Sequence, residues 1–168
     1  MRNNIYKFLI TICFYLNFIS SSYSNEDFIF QISEIDIKEN GNLIIGSNGG
    51  KAITTDGFEV IGEKFNYNKL TNILTVFNNV KLISKKDQII ILSDKATYLK
   101  NDEIIFTEGN SKAFNDEFTL DASKFKFNKN KNILNAEENV KFLDTKDDTT
   151  ILSDKATYLK NDEIIFTE

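Results

Sequence analysis

The chain has 168 residues, with 20 Lys and Arg against 25 Asp and Glu, no His and a single Cys. A formal net charge of −5 argues against nucleic-acid binding through bulk charge, and no long basic block offers a local exception. The missing imidazoles and the lone thiol remove the usual metal ligands, thiol nucleophiles and imidazole bases.

Residues 1–24 read as an export signal. Arg2 and Lys7 flank the start of an apolar run from Phe8 to Ile19, and Ser22-Tyr23-Ser24 offers a small-x-small cleavage site before Asn25. The run is well short of the roughly 20 residues that span a bilayer as a helix, so a removed signal is expected rather than an anchor. Cys13 lies inside that run, followed by Phe14 and Tyr15, which makes it a poor candidate for lipidation. Cleavage leaves a chain without Cys, stabilised by burial and strand pairing alone. It also removes two cations and no anions, moving the net charge to −7.

The segment that follows, about 27–62, contains Gly41, Gly46, Gly49, Gly50 and Gly57 and reads as a divergent first unit of a repeat protein. Within it, Gly46-Ser47-Asn48-Gly49-Gly50 reads as a plain loop. The repeat itself is explicit. Ile91–Glu108 reads ILSDKATYLKNDEIIFTE, and Ile151–Glu168 is identical at an offset of 60. Lys64-Phe65 matches Lys124-Phe125, Asn72-Ile73-Leu74 matches Asn132-Ile133-Leu134, and Asn79-Val80-Lys81 matches Asn139-Val140-Lys141, so the repeat spans 64–108 and 124–168.

A half-period of about 30 residues lies inside it. Phe65-x-Tyr67, Ala96-x-Tyr98, Phe125-x-Phe127 and Ala156-x-Tyr158 are each followed by an Ile-Leu or Ile-Ile pair. Within a unit the apolar period is two, with Asn66, Lys81, Thr97, Lys126 and Lys141 between the apolar positions, which sets one face of a sheet against water. Turn candidates are Asn68-Lys69, Lys100-Asn101-Asp102 and Gly109-Asn110. The pattern predicts an all-β repeat protein with two or three short strands per unit, arranged as a twisted sandwich, jelly roll or solenoid.

Nothing resembles a phosphate loop or a nucleophile elbow. Glu137-Glu138 and Asp147-Asp148 are carboxylate pairs, but adjacent residues of a strand face opposite ways, and both read as solvated loops. Lys100–Glu103 and its copy Lys160–Glu163 lack the ordered oxygen spacing of a calcium loop and read as turns. No catalytic residue, metal or cofactor is assigned. Duplication of whole units lengthens a surface, as a binding and assembly module needs, rather than building a single active site.

The pattern from Ser93-Asp94-Lys95-Ala96-Thr97-Tyr98 through Ile104-Ile105-Phe106 to Gly109-Asn110 resembles the OstA-like repeat of lipopolysaccharide-transport (Lpt) proteins, as does Phe65-Asn66-Tyr67 through Ile73-Leu74 to Asn78-Asn79-Val80-Lys81. The resemblance covers about 28–168. Family members include the periplasmic bridge protein, LptA, and the N-terminal periplasmic domain of the outer-membrane assembly protein, LptD. Asn78 and Glu138 depart from the family's usual Gly. The chain stops at Glu168, one residue before the equivalent of Gly109-Asn110, as a truncated member would.

The resemblance implies a periplasmic β-jelly roll, outer-membrane associated in some members, whose open groove shields the acyl chains of lipopolysaccharide. Exposing ten methylenes to water costs roughly 8 kcal/mol, so a covered track has a clear physical use. The candidates for lining it are Phe65, Tyr67, Val80, Leu82, Tyr98, Phe106, Phe125, Phe127, Val140, Phe142 and Tyr158. Unpaired end strands would pair with other Lpt-type proteins, or head to tail with a second copy. The rival expectations are a structural or adhesin-like repeat with a dry core and, more distantly, a glycan-acting enzyme using carboxylates.

Overall fold

The computed structural model describes residues 28–86, 88–161 and 164–167. The expected signal at 1–24 lies outside the described residues, as do Asp162 and Glu163 of the second Lys-Asn-Asp-Glu copy.

Among the described residues eleven strands follow one another: β1 (Ile29–Lys38), β2 (Leu43–Ile53), β3 (Glu59–Gly62), β4 (Lys64–Asn68), β5 (Ile73–Ser84), β6 (Ile89–Leu99), β7 (Ile104–Phe114), β8 (Phe118–Asn128), β9 (Ile133–Asp144), β10 (Thr149–Leu159) and β11 (Ile164–Thr167). Nearly every chain neighbour is also a sheet neighbour, all antiparallel, in one continuous meander. β3 and β4 are two halves of one strand interrupted at Glu63, since both lie between β2 and β5.

Apart from β3, β4 and β11 the strands are long rather than short, and their pairing is interrupted by a crease. Pairing registers shift between Phe77 and Val80 on β5, Leu92 and Lys95 on β6, Glu108 and Ser111 on β7, and Asp121 and Lys124 on β8. On alternate strands the crease carries two residues of left-handed backbone: Asn48-Gly49 on β2, Asn78-Asn79 on β5, Gly109-Asn110 on β7 and Glu138-Asn139 on β9. Bulges bend a strand, and Asn and Gly are the residues that enter this region at least steric cost.

The Asn side chains are anchored to the preceding strand or link. Asn79 Nδ2 donates to Glu63 Oε1 at 2.6 Å, Asn110 Nδ2 to Asp94 Oδ2 at 2.9 Å, and Asn48 Nδ2 to Glu34 Oε2 at 2.7 Å. In the next unit Asn139 Nδ2 donates to Ser123 Oγ at 3.2 Å.

The crease line folds the single sheet into two leaves. The upper leaf holds the strand halves next to Ile53, Ser84, Phe114 and Asp144, where the chain turns. The lower leaf ends in the turns at 39–42, 69–72, 100–103 and 129–132. Contacts across the fold show the leaves facing each other: Phe118 of the upper leaf lies 4.5 Å, ring centroid to centroid, from Tyr158 of the lower. The result is all-β, as the repeat predicted, in the jelly-roll form that the resemblance implied.

Several local expectations are corrected. Gly109-Asn110 is a crease inside β7 and not a turn, because both flanks pair with β6 and β8. Gly46–Gly50 is part of β2, paired with β1, and not a loop. Glu137-Glu138 lies within β9 at its crease, whereas Asp147-Asp148 does occupy the β9–β10 turn. Reading each crease as a strand end is what made the strands look short.

Close packing at the crease also explains Gly62, where a Cβ would stand 2.3 Å from Val76 Cγ1. Gly62→Ala is expected to destabilise the protein by about 1–3 kcal/mol through overpacking, read as a lowered urea midpoint at unchanged slope.

Candidate functional site

The space between the leaves is lined by repeat-related side chains. Phe65 and Phe125, Tyr67 and Phe127, Leu74 and Leu134, Val80 and Val140, Leu82 and Phe142, and Tyr98 and Tyr158 all stand 60 residues apart, and all are buried. Period-two alternation on each leaf, kept in phase through the creases, delivers them to one interior. The interior therefore runs as an apolar layer across the sheet instead of ending in a compact pocket.

Ten of the eleven candidates read from the sequence face this interior. Phe106 does not: it lies on the outer face, 36% exposed, with Lys126 Nζ 5.8 Å from its ring centroid. The reason is visible in the pairing. Ile105 sits directly opposite both Tyr98 and Phe127, and cross-strand partners share a face, so its chain neighbour Phe106 must point outward.

The structure adds residues that the sequence reading did not single out. Phe28, just before β1, enters the interior against Tyr67 and Tyr98, with centroids 5.0 and 5.7 Å away. Phe58 packs edge-on against Tyr98 at 5.7 Å. Phe58 and Phe118 obey the 60-residue offset, a signal that was available, whereas nothing in the pattern marks Phe28. Thr107 and Ser111 are also buried, and their hydroxyls bond each other at 2.8 Å across the crease of β7.

The edge where the two leaves meet solvent forms a mouth. At its N-terminal part Lys129 bridges the lips, with its side chain only 7% exposed. Its ammonium donates to Asp56 Oδ2 of the upper lip at 3.1 Å, and to Glu103 Oε2 and Tyr98 Oη of the lower lip at 2.8 Å each. It also sits over the Phe58 ring, 4.6 Å from the centroid. Glu103 is further held by Lys100 and by the Tyr98 hydroxyl, so the Lys100–Glu103 turn is closed by its own ion pair.

Burial pushes the Asp56 carboxyl up, but hydrogen bonds from Thr54 and Lys129 and the Lys129 charge outweigh it and bring the pKa down to about 2. Burial likewise opposes ionisation of Glu103, and hydrogen bonds from Lys100, Lys129 and Tyr98 take its pKa below the ordinary value.

Farther along the mouth the lips part around a cleft of about 620 Å³. Its walls include Ile83, Ile89, Ile90, Phe114 and Tyr158, with Lys85 and Lys160 at the rim.

This architecture, one antiparallel sheet creased into two leaves around a continuous apolar layer, is a fold already seen in a solved structure. The solved structure of LptH from Pseudomonas aeruginosa, described as the LptA homologous periplasmic component of the conserved lipopolysaccharide transport device, is similar with a TM-score of 0.56. The likeness covers 66% of this chain and 82% of LptH at 11% sequence identity. At that identity the likeness concerns the fold. No protein-family model matches the chain, and no curated protein sequence matches it.

Lys129→Met keeps the apolar stem over the rings and removes the charge. It is expected to cost about 2 kcal/mol at neutral pH, the scale of a hydrogen bond to a charged group. Depressed carboxyl pKa values stabilise the fold above the unfolded-state value and lose that contribution as pH falls through the folded-state value. Wild-type stability should therefore drop between about pH 4 and about pH 2, and the Lys129→Met curve should fall less and converge with it. Denaturant midpoints measured at several pH values check this.

Proposed function

We propose that this chain is a periplasmic lipopolysaccharide transport or assembly module that covers lipid A acyl chains between its two leaves and docks end to end with other transport components. The observation that carries the reading is the continuous apolar interior, built from repeat-equivalent residues inside a fold shared with LptH. Each methylene moved from water into such a layer gains about 0.8 kcal/mol, and adding units lengthens the layer without changing its chemistry. Ten of the residues read from the sequence, from Phe65 and Tyr67 through Tyr98 to Phe142 and Tyr158, are the proposed lipid contacts.

Docking is supported by the two ends of the sheet. β1 and β11 each pair with one neighbour among the described residues, and both leave large apolar side chains exposed: Ile35 and Ile37 on β1, Ile164 and Phe166 on β11. Their open main-chain donors and acceptors suit another strand, from a transport partner or a second copy. Such a module works without chemistry of its own, consistent with the non-enzymatic reading.

A second reading, a structural repeat that binds no lipid, draws support from the tightness of the interior, where most of the lining side chains are nearly inaccessible to solvent. Photocrosslinking in a Gram-negative periplasm separates the two. Probes at Phe125, Phe127 and Phe142 are expected to capture lipopolysaccharide, those at Phe106 and Lys126 on the outer face to stay silent, and one at Ile35 to capture protein. A folded protein with no lipid adduct at any interior position would establish the structural repeat instead.

A further inference from the structure

Pairing aligns one lysine from each successive unit on the outer face of the upper leaf. Lys51 on β2, Lys81 on β5, Lys112 on β7 and Lys141 on β9 stand in a single row across the sheet. The row is fixed by shared partners: Ile61 lies opposite Lys51 and Lys81, Leu92 opposite Lys81 and Lys112, and Asp121 opposite Lys112 and Lys141. Ala52, Leu82, Ala113 and Phe142, which follow the four lysines, are all buried, so alternation turns the lysines outward. Two strand spacings of about 4.8 Å set neighbouring lysines roughly 9.5 Å apart. They recur at the half-period of about 30 residues, the divergent first unit included.

This row is cationic and apolar at once. Asp121 lies 3.5 Å from Lys112, and Glu59 in the adjoining row holds Lys51 at 3.1 Å and also pairs with Lys85. Lys81 and Lys141 have no carboxylate partner among the described residues. Positive charge is thus in local excess in a chain whose formal net charge is −5. Ile61 and Leu92, between the lysines, are partly exposed. The next row toward the turns is mainly apolar, with Ile53, Ile83, Ile90, Phe114 and Leu143 partly exposed; Ile83, Ile90 and Phe114 also border the cleft.

The outer face of the lower leaf is ordered differently. Beside the crease, Lys95, Glu108, Lys124, Glu137 and Lys155 alternate in sign along their row, and adjacent opposite charges cancel within a short distance. The row beyond it runs through Asn66, Thr75, Thr97, Phe106, Lys126 and Asn135, with a single lysine. A line of like cations is a property of one outer face and not of both.

We propose that the outer face of the upper leaf docks on an anionic phospholipid surface, with the lysine row against the headgroups. Lysine stems can lie along Ile61 and Leu92 while their ammonium groups reach the headgroup phosphates. Attraction to anionic lipid together with apolar burial is what holds a peripheral surface on a bilayer. A protein partner would need carboxylates fixed at the same spacing, whereas mobile headgroups adjust to the row. The acidic Asp116, Glu117 and Asp147 in the neighbouring turns disfavour contact through the turn edge, so the sheet face itself meets the surface. The inference stands apart from the lipid-carrier reading, since it concerns the outside of the sheet and needs no occupant between the leaves.

The chain, isolated after export to a Gram-negative periplasm, is floated with vesicles of phosphatidylcholine alone or of phosphatidylcholine with phosphatidylglycerol. Partitioning is expected to be at least about tenfold stronger with phosphatidylglycerol at low salt, and to weaken as salt is added. Lys81→Gln combined with Lys141→Gln should lower it about 25-fold, at about fivefold per lysine near an anionic surface. The charge-matched pair Lys64→Gln and Lys126→Gln, on the lower leaf, should lower it less than about threefold. Thermal transitions verify that each form is folded.

An independent arm reads orientation and keeps the lysines in place. The chain contains no Trp, so a single introduced indole reports cleanly. Leu92→Trp should shift its emission to the blue on phosphatidylglycerol vesicles, and Phe106→Trp on the other outer face should not. No binding, equal binding to both kinds of vesicle, equal loss in the two lysine pairs, or a shift at position 106 as large as at 92 would overturn the inference. None of these outcomes touches the lipid-carrier reading, which the interior crosslinks decide.

Discussion

The architecture depends on a line of left-handed backbone. On every second strand one residue pair, Asn78-Asn79, Gly109-Asn110 or Glu138-Asn139, bends a strand that would otherwise run straight for eleven or twelve residues. Because the creases stand side by side across the sheet, they add up to a hinge line, and the whole meander folds on it. Non-glycine residues enter this conformation at a cost, and here that cost is reduced by tying the Asn amides to Glu63, Asp94 and Ser123. Polar residues in the middle of a strand are thus what allow two apolar leaves to face each other.

The interior follows from that fold. Alternation along the strands puts Phe65, Leu74, Val80 and Tyr98 and their repeat copies on the concave side, and antiparallel pairing keeps them in rows. A conventional core closes on itself, whereas this one ends at two sheet edges and at a mouth. The mouth is where electrostatics matter, since a lysine with 7% of its side chain exposed is held by two carboxylates and two aromatic rings. Ion pairs with both partners more than half exposed, as in Lys38–Asp36 and Lys124–Glu138, contribute little beyond solubility and strand choice.

Much of this was legible in the sequence. The exact copy of Ile91–Glu108 at Ile151–Glu168, together with the period-two alternation, was enough for an all-β stacked architecture, and ten of the eleven lining candidates it suggested lie in the interior. Gly109-Asn110 was misread because Gly-Asn has the same backbone preference in a turn as in a bulge, and only the pairing of both flanks distinguishes them. Phe106 was misplaced because alternation counted within one strand does not fix its phase, which Ile105 settles through its partners Tyr98 and Phe127. Lys129 was invisible for another reason: its role depends on Asp56, 73 residues away, and the leaves that join them exist only after folding.

Covering a lipid between the two leaves, as proposed, requires them to part at the mouth. With Cys13 replaced by Ser, nitroxides can be placed without competing thiols at Asp116 and Lys160, which both line the cleft. Pulsed electron–electron resonance should show one narrow distance without ligand and a longer distance when lipopolysaccharide is bound. An unchanged distribution in a sample proven to carry lipopolysaccharide would contradict the account.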